Sequence, residues 1–258
     1  MELEEKIKEA ENALRLAADL SAHYYNKPLI ICYSGGKDSD VMLDIARQCL
    51  NPSQFEVLNS HTTVDAPETV YYIRDKFKEL EQNGIKTEIR KPKYKGEPTS
   101  MWRLIENKRM PPTRLVRYCC QVLKETTTPN RIVAVGVRES ESAGRKGRDT
   151  FALRAKRKED RVDRGLQHTY AMFRLDQIEG AYECQFIQGL KKNKDAIVNP
   201  IYKFTEADVW DYIRIKGIKV NPLYSKGYKR VGCIGCPMAG AKGQIKEFND
   251  YPVYKKTT

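Results

Sequence analysis

Residues 28–39 read Pro-Leu-Ile-Ile-Cys-Tyr-Ser-Gly-Gly-Lys-Asp-Ser, and this stretch decides the fold. Its apolar part, 29–33, predicts a strand covered on both faces, and residues 39–50 predict a helix directly behind the polar part. Between them, Gly35 and Gly36 allow a tight turn that brings backbone N–H groups close to a ligand. The helix N-terminus adds unpaired N–H groups and a partial positive charge, so the stretch predicts an anion-binding loop.

The side chains of this loop suit a phosphate chain. Lys37 supplies a full positive charge, while Ser34 and Ser39 supply hydroxyl groups. The common phosphate-loop pattern of kinases and GTPases does not fit, because Ile31 stands where that pattern needs glycine and Asp38 stands where it needs Ser or Thr. An ordinary glycine-rich turn between strand and helix is the alternative, but Gly-Gly followed by Lys-Asp contains more than a turn requires.

Composition sets the limits of the interpretation. The chain has 258 residues, of which 40% are apolar, enough for one large α/β domain or for one such domain with a small appendage. No stretch approaches 18 apolar residues, so no membrane partner or span is expected. Seven cysteines and an acidic, helical N-terminus predict a cytoplasmic protein with reduced thiols. The net charge of +12 favours polyanionic partners, although a basic enzyme that only binds a nucleotide fits it equally well.

Strands alternate with helices along the first half of the chain. This pattern predicts an α/β fold with a doubly wound, mostly parallel, Rossmann-like sheet and a ligand at the carboxyl ends of its strands. Polar residues follow two further strands, at 60–65 and 136–140, in the position that the glycine-lysine loop has after the first. The predicted strands are 29–33, 55–59, 85–90 and 131–137, and the predicted helices are 2–25, 39–50, 65–80, 99–109, 117–127 and 205–216, the last with Thr205 and Asp208 as a capping box.

The chain divides into three predicted parts. Residues 1–140 form the nucleotide-binding α/β core, residues 141–195 form a basic insert or arm, and residues 196–258 complete the core and carry a cysteine site. Within the insert, residues 141–164 hold nine Lys or Arg against five acids. This stretch fits either a flap over an anionic substrate or an ordinary solvated loop.

Two pairs of cysteines predict a metal site. Cys119 and Cys120 are adjacent, and Cys233 and Cys236 are spaced Cys-x-x-Cys. Four thiolates suit zinc or an iron–sulfur cluster, but adjacent side chains diverge, which is awkward for a single zinc. The alternative without a metal is a packed pair at 119–120 and a redox pair at 233–236. The remaining cysteines are expected in core or surface positions: Cys32, Cys49 and Cys184.

Several segments together resemble the adenine-nucleotide alpha-hydrolases, which include ATP pyrophosphatases, tRNA thiolation enzymes and sulfonucleotide reductases. Residues 34–39 resemble the pyrophosphate loop of these enzymes, and the chain is identified as a member of the PAPS reductase-like family over residues 25–240. The other segments that carry the likeness are Asp-Ala-Pro-Glu-Thr at 65–69, Gly-Val-Arg-Glu-Ser at 136–140, the stretch 199–210 that ends in Thr-Glu-Ala-Asp-Val-Trp, and Asn-Pro-Leu-Tyr at 221–224.

The resemblance implies ATP or another adenine nucleotide as ligand, with Mg²⁺ on Asp38 directly or through water. Lys37, Asp38 and Arg138 are the expected catalytic residues, because a departing pyrophosphate needs its growing charge stabilised. Arg145 or Arg148 could close on the site from the insert. The two cysteine pairs resemble the [4Fe–4S] motif of APS reductases. The expected nucleotide-binding residues are Ser34, Gly35, Gly36, Lys37, Asp38, Ser39, Gly136 and Arg138, and the expected cluster ligands are Cys119, Cys120, Cys233 and Cys236.

The resemblance leaves the reaction open between two enzyme classes. True reductases of this family use a nucleophilic cysteine in a C-terminal tail, and residues 237–258 hold neither cysteine nor histidine. Reductive cleavage therefore has no evident nucleophile there, unless a partner or an unseen segment supplies the thiol. Residues 102–124 instead resemble the DNA phosphorothioation pyrophosphatases, which split ATP at the α–β bond to activate DNA for sulfur insertion and carry an iron–sulfur cluster.

The expected function is therefore an ATP pyrophosphatase that activates a substrate, expected to be nucleic acid, for sulfur incorporation. The expected partners are an adenine nucleotide, nucleic acid and a sulfur donor such as a cysteine desulfurase, and an oligomer is possible. Two alternatives stay open at this point. They are a [4Fe–4S] adenylyl-sulfate or phosphoadenylyl-sulfate reductase and a non-catalytic nucleotide-binding module.

Overall fold

The computed structural model describes residues 1–124, 128–141, 150–153, 190, 192 and 194–256. Arg145, Arg148, Cys184 and most of the basic insert lie outside this range, so the expectations that concern them stay predictions. Three described residues of the insert, Phe151–Leu153, form a strand at the edge of the main sheet.

The main sheet consists of the strands β1 (Leu29–Cys32), β2 (Phe55–Ser60), β3 (Lys86–Arg90), β6 (Ile132–Ala134), β7 (Phe151–Leu153) and β8 (Ala196–Val198). Their order across the sheet is β3-β2-β1-β6-β8-β7. All neighbours are parallel except β7 and β8, which pair antiparallel. The doubly wound, mostly parallel α/β sheet predicted from the sequence is confirmed. The chain runs outward from β1 to β3 and then returns to the other side of β1, so the strand order reverses between β1 and β6.

Helices cover this sheet because each has one apolar side. They are α1 (Leu3–Tyr25), α2 (Lys37–Cys49), α3 (Pro67–Gln82), α4 (Met101–Lys108), α5 (Glu206–Lys216), α6 (Gly240–Asp250) and α7 (Pro252–Lys256). The main core joins α1, α2, α3 and α5 to alternate residues of the central strands, such as Leu29 and Ile31. The intervening residues Ile30, Leu58 and Val133 form a smaller cluster on the opposite face, as the two-residue period of a strand requires.

The capping box predicted at the start of α5 is present. Thr205 Oγ1 accepts a hydrogen bond from the backbone N–H of Asp208, whose carboxylate accepts from the N–H of Thr205. Gly217 closes the helix in the left-handed region, as a helix C-terminus prefers. None of the described helices is long and apolar enough to cross a membrane.

The structure differs from the sequence predictions in one helix, in the length of one strand and in several additional strands. The predicted helix 117–127 is instead a short π-helical turn, Cys120–Lys124, and residues 125–127 lie outside the described range. The predicted strand 131–137 is shorter, Ile132–Ala134, and β7 and β8 were not predicted. The antiparallel hairpin β4 (Lys93–Tyr94) and β5 (Glu97–Pro98) is also additional to the predicted strands. Lys95 and Gly96 both have positive φ in its two-residue turn, which is the geometry that matches the twist of short hairpins.

Candidate functional site

The predicted anion loop lies at the carboxyl end of β1, in the centre of the sheet. Gly35 has a φ of +73°, and a Cβ atom there would lie 2.9 Å from Ile73 Cγ1, so this position requires glycine. Gly36 is the N-cap of α2 and has no side chain to accept the first N–H groups of the helix. The N–H of Lys37 donates to a tyrosine hydroxyl, so the N–H groups of Asp38 and Ser39 are the potential anion donors of this helix end.

Residues far along the chain fix the shape of the loop. Asn221 donates a hydrogen bond from Nδ2 to the carbonyl of Gly35 at 3.0 Å. The hydroxyl of Tyr224 accepts the backbone N–H of Lys37 at 2.9 Å, and the Lys37 ammonium lies 5.6 Å from the centre of the Tyr224 ring. The segment 221–224 thus holds the backbone of the loop at two points.

Ser39 stabilises the loop from within. Its hydroxyl donates to the carbonyl of Gly36 at 2.7 Å and lies 3.3 Å from the backbone N–H of Ser34, which donates to it. The only hydrogen of the Ser39 hydroxyl is thus used inside the loop. The Ser34 hydroxyl donates to Ser39 Oγ at 3.2 Å, and only this bond has to break for Ser34 to reach a ligand.

Two cations and two carboxylates meet beside the loop. Lys37 and Arg138 are both buried, at 4% exposure each. Glu206 bridges them, since one carboxylate oxygen lies 3.3 Å from Lys37 Nζ and the other accepts from Arg138 Nη2 at 2.6 Å. Asp38 bridges the same cations at 3.5 Å from Lys37 Nζ and 2.5 Å from Arg138 Nε. Two buried positive charges at a helix N-terminus make this the strongest candidate anion site in the described part of the chain.

The two carboxylates differ in their contacts. Asp38 Oδ1 is buried and lies close to Arg138 Nε, but neither atom has an aligned hydrogen bond. Glu206 is about half exposed, at 56% of its side chain, and its Oε1 also accepts the indole N–H of Trp210 at 3.2 Å. Partial burial opposes ionisation of Glu206, but the hydrogen bond from Arg138 and the charge of Lys37 together lower the pKa of this carboxyl.

Gly136 allows the strand-end segments to meet. A Cβ at this position would lie 3.3 Å from the backbone carbon and oxygen of Asp38. The chain after β6 therefore packs directly on the backbone of the loop, and Arg138 follows two residues later. Every predicted nucleotide-binding residue, from Ser34 to Ser39 together with Gly136 and Arg138, lies at this one edge of the sheet.

A buried carboxyl group lies one turn into α2. Asp40 is 4% exposed and accepts hydrogen bonds from the Tyr33 hydroxyl at 2.6 Å and the Tyr72 hydroxyl at 3.0 Å. Its other oxygen has no hydrogen-bond partner. Burial raises the pKa of Asp40 to about 7, although the two tyrosines and Lys76 act in the opposite direction.

The four predicted cluster cysteines converge at a second site. Cys119, Cys233 and Cys236 belong to one apolar cluster with Leu104 and Tyr118, and Cys120 follows Cys119 directly. The donor set matches iron–sulfur chemistry, which uses four thiolates. In the part of the chain that the structure describes, however, no three His, Cys, Asp or Glu side chains are already arranged to hold a metal ion. The assignment of the four ligands stays a prediction.

Positive charge surrounds these thiols. Arg117 Nη2 donates to Cys120 Sγ at 3.2 Å. The hydrogen bond from the Cys119 thiol, together with Arg117 and Lys124, lowers the pKa of Cys120 against the effect of burial. Thiolates are the form that ligates metals, so this environment favours a metal-binding or reactive cysteine.

One short segment joins the two sites. After β2, Thr62 contacts the Cys233 thiol at 3.5 Å, and the carbonyl of Val64 accepts the N–H of Ile234 at 2.8 Å. The same segment leads into α3, where Thr69 accepts a hydrogen bond from Asn221, the residue that also holds Gly35. The cysteines and the anion loop therefore lie at the same edge of the sheet.

The sequence analysis missed Glu206, Asn221 and Tyr224 as site residues. Glu206 stands in the first turn of α5, where an acidic residue is already explained by the helix dipole. Asn221 and Tyr224 belong to a quoted motif, but no chemical pattern in that motif indicates a contact with residues almost two hundred positions earlier.

Comparison with known proteins places the chain in a family. The family model of the phosphoadenosine phosphosulfate reductase domain matches residues 28–239. An uncharacterized protein of Methanocaldococcus jannaschii is 28% identical over 82% of this chain and 36% of its own length. The chain thus spans little more than a third of that relative. The adenosine 5'-phosphosulfate reductase of Burkholderia cepacia is 44% identical over 46 residues, 18% of either chain.

Two solved structures share the fold at low sequence identity. A phosphoadenylyl-sulfate reductase from Candida auris, in a phosphate complex, has a TM-score of 0.50 at 16% identity and covers 87% of both chains. A U34-tRNA thiolase from Methanococcus maripaludis, with its [4Fe–4S] cluster, also has a TM-score of 0.50 at 16% identity. It covers 98% of this chain and 74% of the thiolase.

Proposed function

The chain belongs to the phosphoadenosine phosphosulfate reductase domain family, and from this premise we propose that it is an ATP pyrophosphatase that activates a nucleic acid for sulfur incorporation. One observation carries the proposal. Buried Lys37 and Arg138 converge with the N-terminus of α2 on one anion site at the strand-order reversal. Such a site suits a pyrophosphate group that gains charge as it leaves.

The proposed reaction has two steps. An oxygen of the acceptor attacks the α-phosphorus of ATP, the bond to the bridging oxygen of the β-phosphate breaks, and pyrophosphate leaves with the electron pair. A hydrosulfide ion from a donor then attacks the activated atom of the acceptor, the bond from this atom to its former oxygen breaks, and AMP leaves with that oxygen and the electron pair. The side chains of Lys37 and Arg138, together with the N–H groups of Asp38 and Ser39, would stabilise the departing pyrophosphate, because these groups are in place before the reaction.

The residues around the loop also suit Mg²⁺. Asp38 Oδ1 is a buried carboxylate oxygen with no hydrogen bond, and a hard cation prefers such an oxygen. Asp38 would hold the ion directly or through water once a nucleotide has engaged Arg138. A bound Mg²⁺ would neutralise phosphate oxygens during cleavage.

The four cysteines would hold an iron–sulfur cluster. Cys119 and Cys120 would ligate from the π-helical turn, and Cys233 and Cys236 from the segment before α6. Such a cluster supplies redox or sulfur-carrying chemistry, and Arg117 would hold negative charge on the thiolates. Zinc in the same ligands, or a redox pair without metal, fits the donor set less closely because of the adjacent pair.

A sulfonucleotide reductase is the second candidate. It is favoured by the short stretch of 44% identity with an adenosine 5'-phosphosulfate reductase. The same anion site would bind the nucleotide of that substrate. The reductase would also need a thiol nucleophile, and residues 237–258 contain no cysteine.

One pair of assays tests the proposal. The protein, purified without oxygen, is incubated with ATP and Mg²⁺, with and without DNA or tRNA, and pyrophosphate is measured. In parallel it is incubated with adenylyl sulfate or phosphoadenylyl sulfate and thioredoxin, and sulfite is measured. Pyrophosphate release stimulated by nucleic acid supports the proposal. Sulfite production at enzymatic rates without pyrophosphate release overturns it in favour of the reductase.

A further inference from the structure

The positive charge of the described chain is concentrated in one segment. Residues 86–117 contain ten Lys or Arg and three Glu, a net charge of +7 within a chain of net charge +12. Nearly all of these basic side chains are exposed. The sequence analysis placed the candidate basic arm at 141–164, so this segment is a separate feature of the molecule.

The segment presents its charges from a defined structure. The hairpin β4–β5 carries Lys93 and Lys95 on either side of Tyr94. Lys108, at the end of α4, lies 5.3 Å from the centre of the Tyr94 ring, and Lys95, in the turn of the hairpin, lies 5.7 Å from it. The hairpin and α4 thus gather cations around one aromatic ring, which offsets part of their mutual repulsion.

A tight loop beside them exposes an apolar side chain. The backbone N–H of Thr113 donates to the carbonyl of Val116, and the N–H of Val116 donates to the Thr113 hydroxyl. These two bonds close the loop and hold Leu115 outward at 96% exposure. Arg114 and Arg117 flank this tip. Val116, next to Leu115, is 46% exposed, so the tip presents two neighbouring apolar side chains between the arginines.

The segment lies directly against the cysteines. Tyr94, Trp102 and Ile105 pack on the apolar cluster that contains Cys233 and Cys236. Tyr118, one residue before the cysteine pair, donates from its hydroxyl to the carbonyl of Met110 at 2.6 Å and so anchors the loop. A ligand held on this surface would therefore lie next to the cysteine site.

From these observations we propose that residues 86–117 form the nucleic-acid docking surface of this protein. The Lys and Arg side chains contact the phosphodiester backbone, and Leu115 contacts a base or sugar face. Lys86 and Arg90 pair with Glu56 and Glu88, but the segment has ten basic residues and only three acidic ones. Such an excess of exposed cations is the electrostatic pattern of phosphate recognition, and an apolar wedge between them is a known partner of bases. The inference names the surface on which the acceptor of the proposed function binds. Binding itself does not depend on that function, but the identification of the bound nucleic acid as the acceptor does.

Binding of labelled oligonucleotides tests the proposal without ATP. Fluorescence anisotropy is measured with single-stranded DNA, duplex DNA and an RNA hairpin of equal length, over a range of salt concentrations. The triple variant Lys91→Gln, Lys93→Gln, Arg114→Gln should weaken binding by at least about tenfold. The slope of the logarithm of the binding constant against the logarithm of the salt concentration should become shallower. The expected change is about 0.9 for each phosphate that the protein no longer neutralises. The nucleic acid that binds most tightly identifies the acceptor class.

A matched variant separates a surface effect from net charge. Lys8→Gln, Arg15→Gln, Lys27→Gln removes the same charge from exposed positions on and just after α1, and it should bind within about twofold of the wild type. Equal weakening in the two triple variants, or binding of polyglutamate as tight as that of the oligonucleotides, overturns the proposal. A Leu115→Ser variant should bind several-fold more weakly with an unchanged salt slope, and unchanged binding overturns the role of the tip.

The outcome is independent of the proposed reaction. If the surface variant loses binding while the wild type releases no pyrophosphate from ATP, the docking surface stands and the pyrophosphatase assignment fails. If the wild type releases pyrophosphate but binds none of the oligonucleotides, the docking proposal fails and the pyrophosphatase assignment stands.

Discussion

Arg138 and Glu206 form an ion pair over the anion loop, with Arg138 Nη2 2.6 Å from Glu206 Oε2. The second oxygen of the same carboxylate lies 3.3 Å from Lys37 Nζ. Glu206 therefore satisfies both cations that a phosphate group would bind. A phosphate chain has to displace this carboxylate or share the cations with it.

Replacement of Glu206 by Gln should increase the affinity for pyrophosphate. The variant removes one of the two carboxylates that pair with Lys37 and Arg138, and only Asp38 then competes with the ligand for these cations. An exposed ion-pair partner contributes about 1 kcal/mol, so the Kd of pyrophosphate should fall about three- to tenfold. Isothermal titration calorimetry in EDTA measures this without Mg²⁺. Asp211→Asn on the same helix is the control, and a weaker affinity in Glu206→Gln would contradict the interpretation.

Replacement of Lys37 by Ala should remove nucleotide turnover while the fold persists. Lys37 is buried beside the N-terminus of α2, and loss of a preorganised charge at a reacting group costs on the order of 10²-fold in kcat or more. Pyrophosphate release measures the loss, and circular dichroism measures the fold. Lys27→Ala, at an exposed position, should behave as the wild type. Full turnover by Lys37→Ala would rule out this lysine as a phosphate ligand.

Alanine substitutions at two glycines with nearly equal φ angles distinguish the cost of backbone strain from the cost of crowding by neighbouring atoms. Gly35 and Gly84 have φ angles of +73° and +75°, but only Gly35 has a neighbour, Ile73, within 3 Å of an added Cβ. Gly84→Ala should cost about 1 kcal/mol of unfolding free energy, from the left-handed backbone alone. Gly35→Ala should cost more and also weaken pyrophosphate binding. Equal unfolding free energies from urea titrations would contradict the crowding at Ile73.

The buried Asp40 should make stability depend on pH. Its pKa of about 7 lies above the ordinary 3.8, so the folded protein keeps a proton that the unfolded chain releases. Its contribution therefore lowers the free energy of unfolding by about 1 kcal/mol per pH unit as pH rises from about 5 to 7. Asp40→Asn should lose this slope in urea titrations, whereas Asp19→Asn should retain it. Parallel pH profiles for the wild type and Asp40→Asn would show that Asp40 is ionised throughout.

Anaerobic purification should give a brown protein with bound iron and sulfide. Cys120→Ser should lose most of the iron, because a missing ligand opens a four-thiolate site. Cys49→Ser is the matched control, since burial raises the pKa of the Cys49 thiol to about 11 and this residue lies in the main core. Colourless wild-type protein without iron would remove the cluster from the proposal, and zinc analysis would then distinguish the remaining alternatives.

The sequence predicts the centre of this molecule better than its periphery. Strand β1 is a continuous apolar run, and the Gly-Gly-Lys stretch has few structural uses, so both the buried central strand and the position of the loop follow from local patterns. The hairpin β4–β5 was missed because each strand has only two residues, one of them Pro98. The π-helical turn at 120–124 depends on packing against Cys233 and Leu104, which are distant in the sequence.

The same reason explains the missed site residues. Glu206, Asn221 and Tyr224 reach the loop only through the tertiary fold, and their sequence neighbourhoods already account for them as cap, turn and aromatic residues. Local chemistry identifies a loop that binds an anion, but it does not identify which distant side chains complete the binding site.

The position of β1 in the sheet has a consequence for how such a protein can vary. The predicted anion loop follows a strand with neighbours on both sides, whereas the chain departs from the margin at β7 and returns at β8, and the lysine-bearing hairpin follows the opposite margin strand, β3. We therefore expect insertions at either margin to add recognition elements without altering the residues of the proposed nucleotide-cleaving site.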